Sequence, residues 1–425
     1  MFEKRSSIKK FVIIIMIGIA IIGVFFIYPV AAPWFMNWET VIIDDEVKID
    51  RSYSLILDDY DHPHIVYRDS IENTLMYATH SSESWSIQTV DSELPASVPS
   101  IILDDENNPH VSYRGFTTNT TTDFRDYEYV LKYAVWTGES WETEIVDQHW
   151  DYWEFTSISL DSNGNPRILY ATWRHLKLAS WYNNSWDIEY LIVEEKPAIN
   201  HVSYTWDIND YLHISYPSMT DRSLRYAKRT GDSWDIEIVD GDSESTGLFS
   251  KIALDSDCNP HILYLDNAND HLIYTYKSED TWNFETLKTT RHIPISLVID
   301  QKDVVHIIFS YRHRNYPHER DLIKYATPSG RSWMEHDIES GIGFLSTTTD
   351  NDGKMHIIYR DFRNGDINYI TGPYLNLQRT FLLCAILGVS SLILWIKKPY
   401  LIHRLEERKK VYDMDYGRWK IKRKD

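Results

Sequence analysis

Cysteine is almost missing from this chain: two residues in 425, Cys258 in a turn-like stretch and Cys384 in an apolar run. Those settings exclude an internal disulfide, so packing and hydrogen bonds must hold the chain together. Long apolar runs are equally sparse, with one near each end, Phe11 to Val30 and Phe381 to Ile396. Basic charge is the third shortage. Of 43 Lys and Arg, 4 precede the first run and 11 follow the second, leaving 28 against 57 acids, a balance of −29, for residues 33 to 379. Such a field repels nucleic-acid backbones and excludes them as partners.

The first apolar run holds twenty residues without a charge, the length that a hydrocarbon core requires. The second, at sixteen, reaches that length if Tyr374 to Gln378 contribute at the interface. Trp34, Trp38, Tyr374 and Trp395 sit near the run ends, where amphipathic rings favour the headgroup layer. Lys4, Arg5, Lys9 and Lys10 flank the first run and the basic tail from Lys397 follows the second, so both termini are expected in the cytoplasm. The expected organisation is residues 1–10 cytoplasmic, 11–32 a transmembrane helix, 33–373 an extracellular domain, 374–396 a second transmembrane helix, and 397–425 a basic cytoplasmic tail. A cleaved signal peptide ending at Val30-Ala31-Ala32 is the alternative, and it too exports the middle of the chain. Asn119 and Asn183 open Asn-x-Ser/Thr sequences, as fits an exported, glycosylated surface.

That middle is a repeat. Pro63-His64-Ile65-Val66-Tyr67 returns as Pro109-His110-Val111-Ser112-Tyr113, and near-copies begin at Pro166, Leu212, Pro260, Val305 and Met355, at spacings of 45 to 57 residues. Each copy follows an apolar strand ending in aspartate, such as Ser54 to Asp58. Each also precedes a Leu-x-Tyr-Ala strand, such as Leu131 to Ala134, and all but the last a Ser-Trp strand, such as Ser140 to Asp147. Period-two alternation, β-branched enrichment and regular turn residues identify four short antiparallel strands, A to D. Seven such units predict an all-β, seven-bladed propeller. The seventh copy lacks its own strand D, whereas Trp38-Glu39-Thr40-Val41-Ile42-Ile43-Asp44 at the other end resembles Trp141 to Asp147. An N-terminal strand completing the last blade would close the ring and remove two open sheet edges. Strand direction then places both membrane segments on the face of the A–B and C–D turns, leaving the B–C and D–A loops as the outer face.

The turns before each tryptophan, Ser81-Ser82-Glu83-Ser84-Trp85, Thr230-Gly231-Asp232-Ser233-Trp234 and Ser278-Glu279-Asp280-Thr281-Trp282, resemble those of sialidase-like and BNR-repeat propellers. That family's turn runs Ser-x-Asp-x-Gly-x-x-Trp; here it is shorter and the fixed aspartate is absent. The resemblance implies a propeller fold. Sialidases of the group have six blades, and its seven-bladed members include polysaccharide lyases, so the enzyme activities it implies are glycan hydrolysis or lysis.

Two repeated features suggest metals and resist that reading. The histidine column (His64, His110, His213, His261, His306, His356) puts one ring in each blade, whereas zinc ligands must converge on one ion. A structural bond to the A–B turn is therefore expected. The turns opening at Asp161, Asp255 and Asp350 alternate oxygen-bearing residues as calcium loops do, but they lead straight into strand B and suit a tight hairpin. No cofactor is expected, with calcium at these three turns the alternative.

Arginine placement points to function. The seven B–C segments hold ten of the seventeen arginines between residues 33 and 379 and none of the eleven lysines. Arg68, Arg114 and Arg360 each follow the strand-B tyrosine in neighbouring blades; Arg174 and Arg312 lie in other B–C loops. Planar guanidinium groups suit carboxylate or sulfate recognition. Trp150 and Trp153 in a D–A loop and Trp173 in a B–C loop add flat rings for a sugar or a protein partner. Tyr311, His175, His313, Glu319, Asp69 and Asp361 could serve catalysis on that face, yet no spacing singles out a nucleophile. The leading expectation is a cell-surface module binding an anionic glycan or a protein; a membrane-tethered carbohydrate-active enzyme and a structural subunit of an envelope complex are the alternatives. Salt bridges to nearby acids would also account for the arginines.

Overall fold

The computed structural model describes residues 36–375, apart from 45–48, 82–83, 118–127, 150–152, 173–174, 192–201, 219, 232, 242–246, 290–291, 312–321, 330–331, 341 and 362–364. The described residues form seven four-stranded antiparallel sheets. Six are built from four consecutive strands. The seventh runs Met36–Asp44, Ile367–Leu375, Met355–Asp361, Ile342–Thr349, so the N-terminal strand is strand D of blade 7. Trp38–Pro373 is one compact unit.

Strand B explains why the blades stack. It lies second in a four-stranded sheet with a neighbouring blade on each side, so both of its faces are buried. In blade 1 (Pro63–Asp69) Ile65, Val66 and Tyr67 have no exposed surface, and Ile168, Ile262 and Ile357 repeat this in other blades. Burying each such side chain stabilises the fold by about 1.5–3 kcal/mol. The D strands form the rim, where burial alternates with exposure, as along Ser185–Leu191. Seven core clusters lie at the seven blade junctions. The one joining blade 7 to blade 1 brings Ile43, Ile358 and Tyr369 against Tyr53, Leu55 and Ile65. Across the same junction the Leu55 N–H donates to Ser346 Oγ at 3.2 Å. The ring is closed, as the terminal strands predicted.

Strand C of blade 7 continues to Leu375, two residues into the segment 374–396. The apolar runs otherwise lie outside the described residues, as does the basic tail. Among the described residues, no helix is long and apolar enough to cross a membrane.

Candidate functional site

A polar relay recurs around the ring and accounts for the histidine column. In each A–B turn an aspartate Oδ1 accepts the backbone N–H groups two and four residues on: Asp255 takes those of Asp257 and Asn259 at 3.1 and 2.7 Å. Its second oxygen faces the strand-B histidine: Nε2 lies 3.1 Å from Asp207 in His213 and 3.3 Å from Asp300 in His306. A carboxylate can only accept, so Nε2 carries the proton and Nδ1 accepts from the strand-C tyrosine hydroxyl. Those Tyr–His distances are 2.6 Å for Tyr77–His64 and 2.7 Å for Tyr226–His213, and Tyr369–His356 completes blade 7. The next blade's tryptophan then packs edge-on against that tyrosine, as Trp141 does on Tyr77 at 5.3 Å and Trp38 on Tyr325 at 5.6 Å.

Electrostatics agree with a neutral, structural histidine. Burial lowers the pKa of His64, His110, His213, His261, His306 and His356, outweighing the carboxylate that would raise it. For Asp207 burial acts to raise the pKa, but the Tyr211 N–H, His213 and Lys228 prevail and bring it to about 2. Burial lifts the Tyr77 and Tyr325 hydroxyls to about 12. Blade 3 departs from the pattern. Arg167 replaces the histidine, stacks 3.9 Å from the Trp206 ring centre and bonds Asp210 of blade 4 at 2.9 Å. Asp161 and Asp350 serve their turns as Asp255 does, with Asn165 N–H and Lys354 N–H each at 2.8 Å. Among the described residues no group of three or more His, Cys, Asp or Glu is placed to hold a metal.

The outer face carries a different arrangement. Arg68, Arg114 and Arg360 hold one register, opposite Leu75, Leu131 and Ile367 of strand C. Blade 2 has an extended hairpin, Pro109–Thr117 and Glu128–Trp136, which adds Phe116 opposite Tyr129. Arg68 reaches across from blade 1 to lie 5.9 Å from the Phe116 ring centre. Phe116 meets Tyr129 at 6.2 Å, and Arg114 lies 5.2 Å from Tyr129. The result is an Arg–Phe–Tyr–Arg array spanning two blades. Asn73 accepts from Arg68, and Ser97 Oγ accepts from Arg114 Nε at 2.8 Å. Arg114 is 7 % exposed, so its guanidinium is held in place rather than swinging in solvent. Cation–aromatic contacts of this kind contribute about 0.5–2 kcal/mol each.

The remaining sequence candidates divide. Trp150, Trp173, Arg174, Arg312, His313, Glu319 and Asn119 lie outside the described residues. Trp153 opens strand A of blade 3 opposite Thr172. Asn183 is exposed at a hairpin turn with φ 50°. Asp69 and Asp361 are buried, and Asp69 Oδ1 accepts the Ile71 N–H at 2.8 Å within its own loop. His175 is exposed and stands edge-on to Tyr190 at 5.2 Å; Tyr190 also lies 4.7 Å from the buried Lys177 ammonium. Sequence reasoning missed Phe116 and Tyr129, whose signal was the uninterrupted alternation at both ends of the blade 2 loop.

No protein-family model and no curated protein matches the chain by sequence. Solved structures match by fold. A PL25 ulvan lyase bound to -[GlcA(1-4)Rha3S]- superposes with a TM-score of 0.54 at 10 % identity, covering 79 % of this chain and 96 % of that one. YCF48 bound to a D1 peptide superposes at 0.51 and 10 % identity, covering 78 % and 94 %. A variant of the NanB sialidase from Streptococcus pneumoniae superposes at only 0.39 and 12 % identity, over 79 % and 70 %, too loosely to carry an argument. The chain has a seven-bladed β-propeller fold. At these identities the likeness reaches no further than fold.

Proposed function

We propose that the chain is a membrane-anchored, cell-surface propeller whose outer face binds an anionic glycan or an acidic segment of a protein. The Arg68–Phe116–Tyr129–Arg114 array carries this reading. Partly exposed Arg68 and Phe116 offer a guanidinium plane for a carboxylate or sulfate beside a ring for a sugar face or side chain, and the buried Arg114 and Tyr129 support them. The array lies at a blade junction and is pre-organised by Ser97 and Asn73, which lowers the ordering cost of binding. The structural neighbours include one propeller that holds a charged glycan and one that holds a peptide, so both classes suit as probes.

One observation favours an enzyme as the second reading. The exposed pair His175 and Tyr190 offers an imidazole base beside a phenol on the outer face of blade 3. The test is a screen of the full chain in detergent against uronate, sialate and sulfated glycans and acidic peptides. A hit lost in the Arg68→Ala/Arg114→Ala/Arg360→Ala variant supports binding at the arginines. A hit retained by that variant overturns it, and fragmentation of the glycan by the native chain moves the enzyme reading ahead.

A further inference from the structure

The junction between blades 5 and 6 lacks a cation that the two junctions before it supply from within. In strand D of blades 3, 4 and 5 a glutamate stands three residues after the tryptophan: Glu189 opposite Leu178, Glu237 opposite Tyr226, and Glu285 opposite Tyr274. For the first two, the next blade supplies a cation from strand C, at the place opposite its own tryptophan. Arg229, opposite Trp234, donates to Glu189 at 2.7 Å, and Lys277, opposite Trp282, donates to Glu237 at 2.6 Å. In blade 6 (strand C, Leu322–Ser329) that place, opposite Trp333, belongs to Pro328, which has neither the charge nor the reach. Glu285 accepts the Trp333 indole N–H at 2.9 Å, and among the described residues no basic side chain pairs with it. Glu144 of blade 2 has no such cation either, but there Trp181 takes the place with a second indole, edge-on to Trp186 at 5.4 Å.

Beside Pro328 the space is open. A cavity of about 450 Å³ lies there, lined by Tyr274, Tyr276, Glu285, Pro328, Ser332 and Trp333, with His261 behind them. Tyr276 sets this blade apart. Opposite the strand-B histidine, other blades carry Thr79, Val135, Lys228 or Thr371. Here a ring faces His261, 5.7 Å from it and 5.8 Å from Tyr274. Trp333 meets Tyr274 at 5.3 Å with the two planes 76° apart. Walls inclined to one another enclose a compact group better than they seat a flat one. Tyr276 and Trp333 are half-buried and Glu285 is exposed, so the rings and the carboxylate remain accessible together. Among the described residues lining the cavity none is lysine or arginine, and burial lowers the pKa of His261, which leaves it neutral. Ring faces and a carboxylate without a cation attract positive charge, and the acidic surroundings add to that pull.

We propose that the cavity between blades 5 and 6 binds an organic ammonium group, held against Tyr276 and Trp333 and paired with Glu285. The ligand takes the place that Arg229 and Lys277 fill at the two preceding junctions. A methylated ammonium suits the rings, because its charge is carried on an apolar surface. The group is either a free small molecule or the headgroup of a choline lipid. This site is separate from the arginine array, and neither requires the other.

The experiment is saturation-transfer difference NMR of the choline methyl signal with the full chain in a maltoside detergent. Choline chloride is titrated at ionic strength held constant with sodium chloride. The expected result is saturable binding, with 3,3-dimethylbutanol, the same shape without the charge, about tenfold or more weaker. Phosphatidylcholine added to the micelles assigns a lipid headgroup if it displaces choline and a free ligand if it does not, and both support the proposal. Glu285→Gln should keep the Trp333 bond, as Gln88 does for Trp141 at 3.2 Å, and lose about tenfold in choline affinity. Tyr276→Thr, which restores the residue of blades 1 and 7, should weaken choline while leaving Tm near native. Pro328→Lys supplies the internal cation of blade 5, so it should abolish the choline signal in a chain whose near-UV circular dichroism is native. Arg68→Ala/Arg114→Ala/Arg360→Ala should keep the choline response. Unsaturable choline, equal binding of the uncharged analogue, or native affinity in both Glu285→Gln and Pro328→Lys overturns the proposal.

Discussion

Ring closure by the N-terminal strand can be tested residue by residue along Met36–Asp44. Ile43 is 6 % exposed and sits in the core joining blades 7 and 1, whereas Val41 and Ile42, in the same strand, are 48 % and 50 % exposed. Truncating a buried isoleucine to alanine costs about 2–5 kcal/mol, and exposed positions usually stay within about 0.5 kcal/mol. Asp44 accepts the Tyr67 hydroxyl at 3.0 Å, and Tyr67 has no exposed surface, so removing that acceptor costs about 1–3 kcal/mol more. Trp38, edge-on to Tyr325, adds a large aromatic truncation of about 3–5 kcal/mol. For a unit of this size, Ile43→Ala should lower Tm by on the order of 5 °C. Near-UV circular dichroism of the full chain in detergent, followed on heating, would measure the series. The expected order of loss is Trp38→Ala and Ile43→Ala largest, then Asp44→Ala, then Val41→Ala and Ile42→Ala near zero. If Ile43→Ala and Ile42→Ala melt together with the native chain, the strand does not close the ring.

Three further expectations follow from the relays and turns. The six histidines are neutral in the fold with lowered pKa values, while the unfolded chain protonates near about 6.5; stability should therefore be full above that pH and fall as pH drops below it. A Tm that stays flat between pH 7.5 and 5.5 would contradict the relay. His213→Phe keeps the ring's bulk but strands the Tyr226 hydroxyl and takes one donor from Asp207, so it should cost about 1–3 kcal/mol by chemical denaturation and flatten part of that pH response. Gly353 has a φ of 85°, and a Cβ there would overlap the Asp300 carboxylate of blade 6. Gly353→Ala should lower Tm measurably, while unchanged melting would show that the turn can relax.

Blade number, strand order and the closing strand were legible in the sequence because each rests on local periodicity repeated seven times. The histidine role was legible for the same reason: one position per blade cannot converge on an ion, and the structure shows it bonding the A–B turn. Contacts between blades were not legible. Arg68 meets Phe116 across a junction, and nothing near Arg68 in the chain announces a ring 48 residues away. Arg167 was visible as an exception to the histidine column, yet its partners Trp206 and Asp210 belong to the next blade. The register of strand A was not legible either, because pairing shifts, as between Ser97 and Ser100 or Leu248 and Lys251, break a simple alignment of the repeats.

The central claim is that guanidinium planes on the outer face, rather than positive charge alone, recognise an anionic ligand. The direct measurement is calorimetric titration of the full chain with a -[GlcA(1-4)Rha3S]- oligosaccharide or the best hit of the glycan and peptide screen. It would compare the native chain with Arg68→Lys/Arg114→Lys, which keeps the charge and removes the planar fork. Losing the charge-assisted hydrogen bonds of the Arg68 fork, at about 1.5–3 kcal/mol, together with the Arg114 support of the array, predicts a fall in affinity of about tenfold or more. Equal affinity of the lysine variant and the native chain would contradict the claim and return the arginines to a purely structural role.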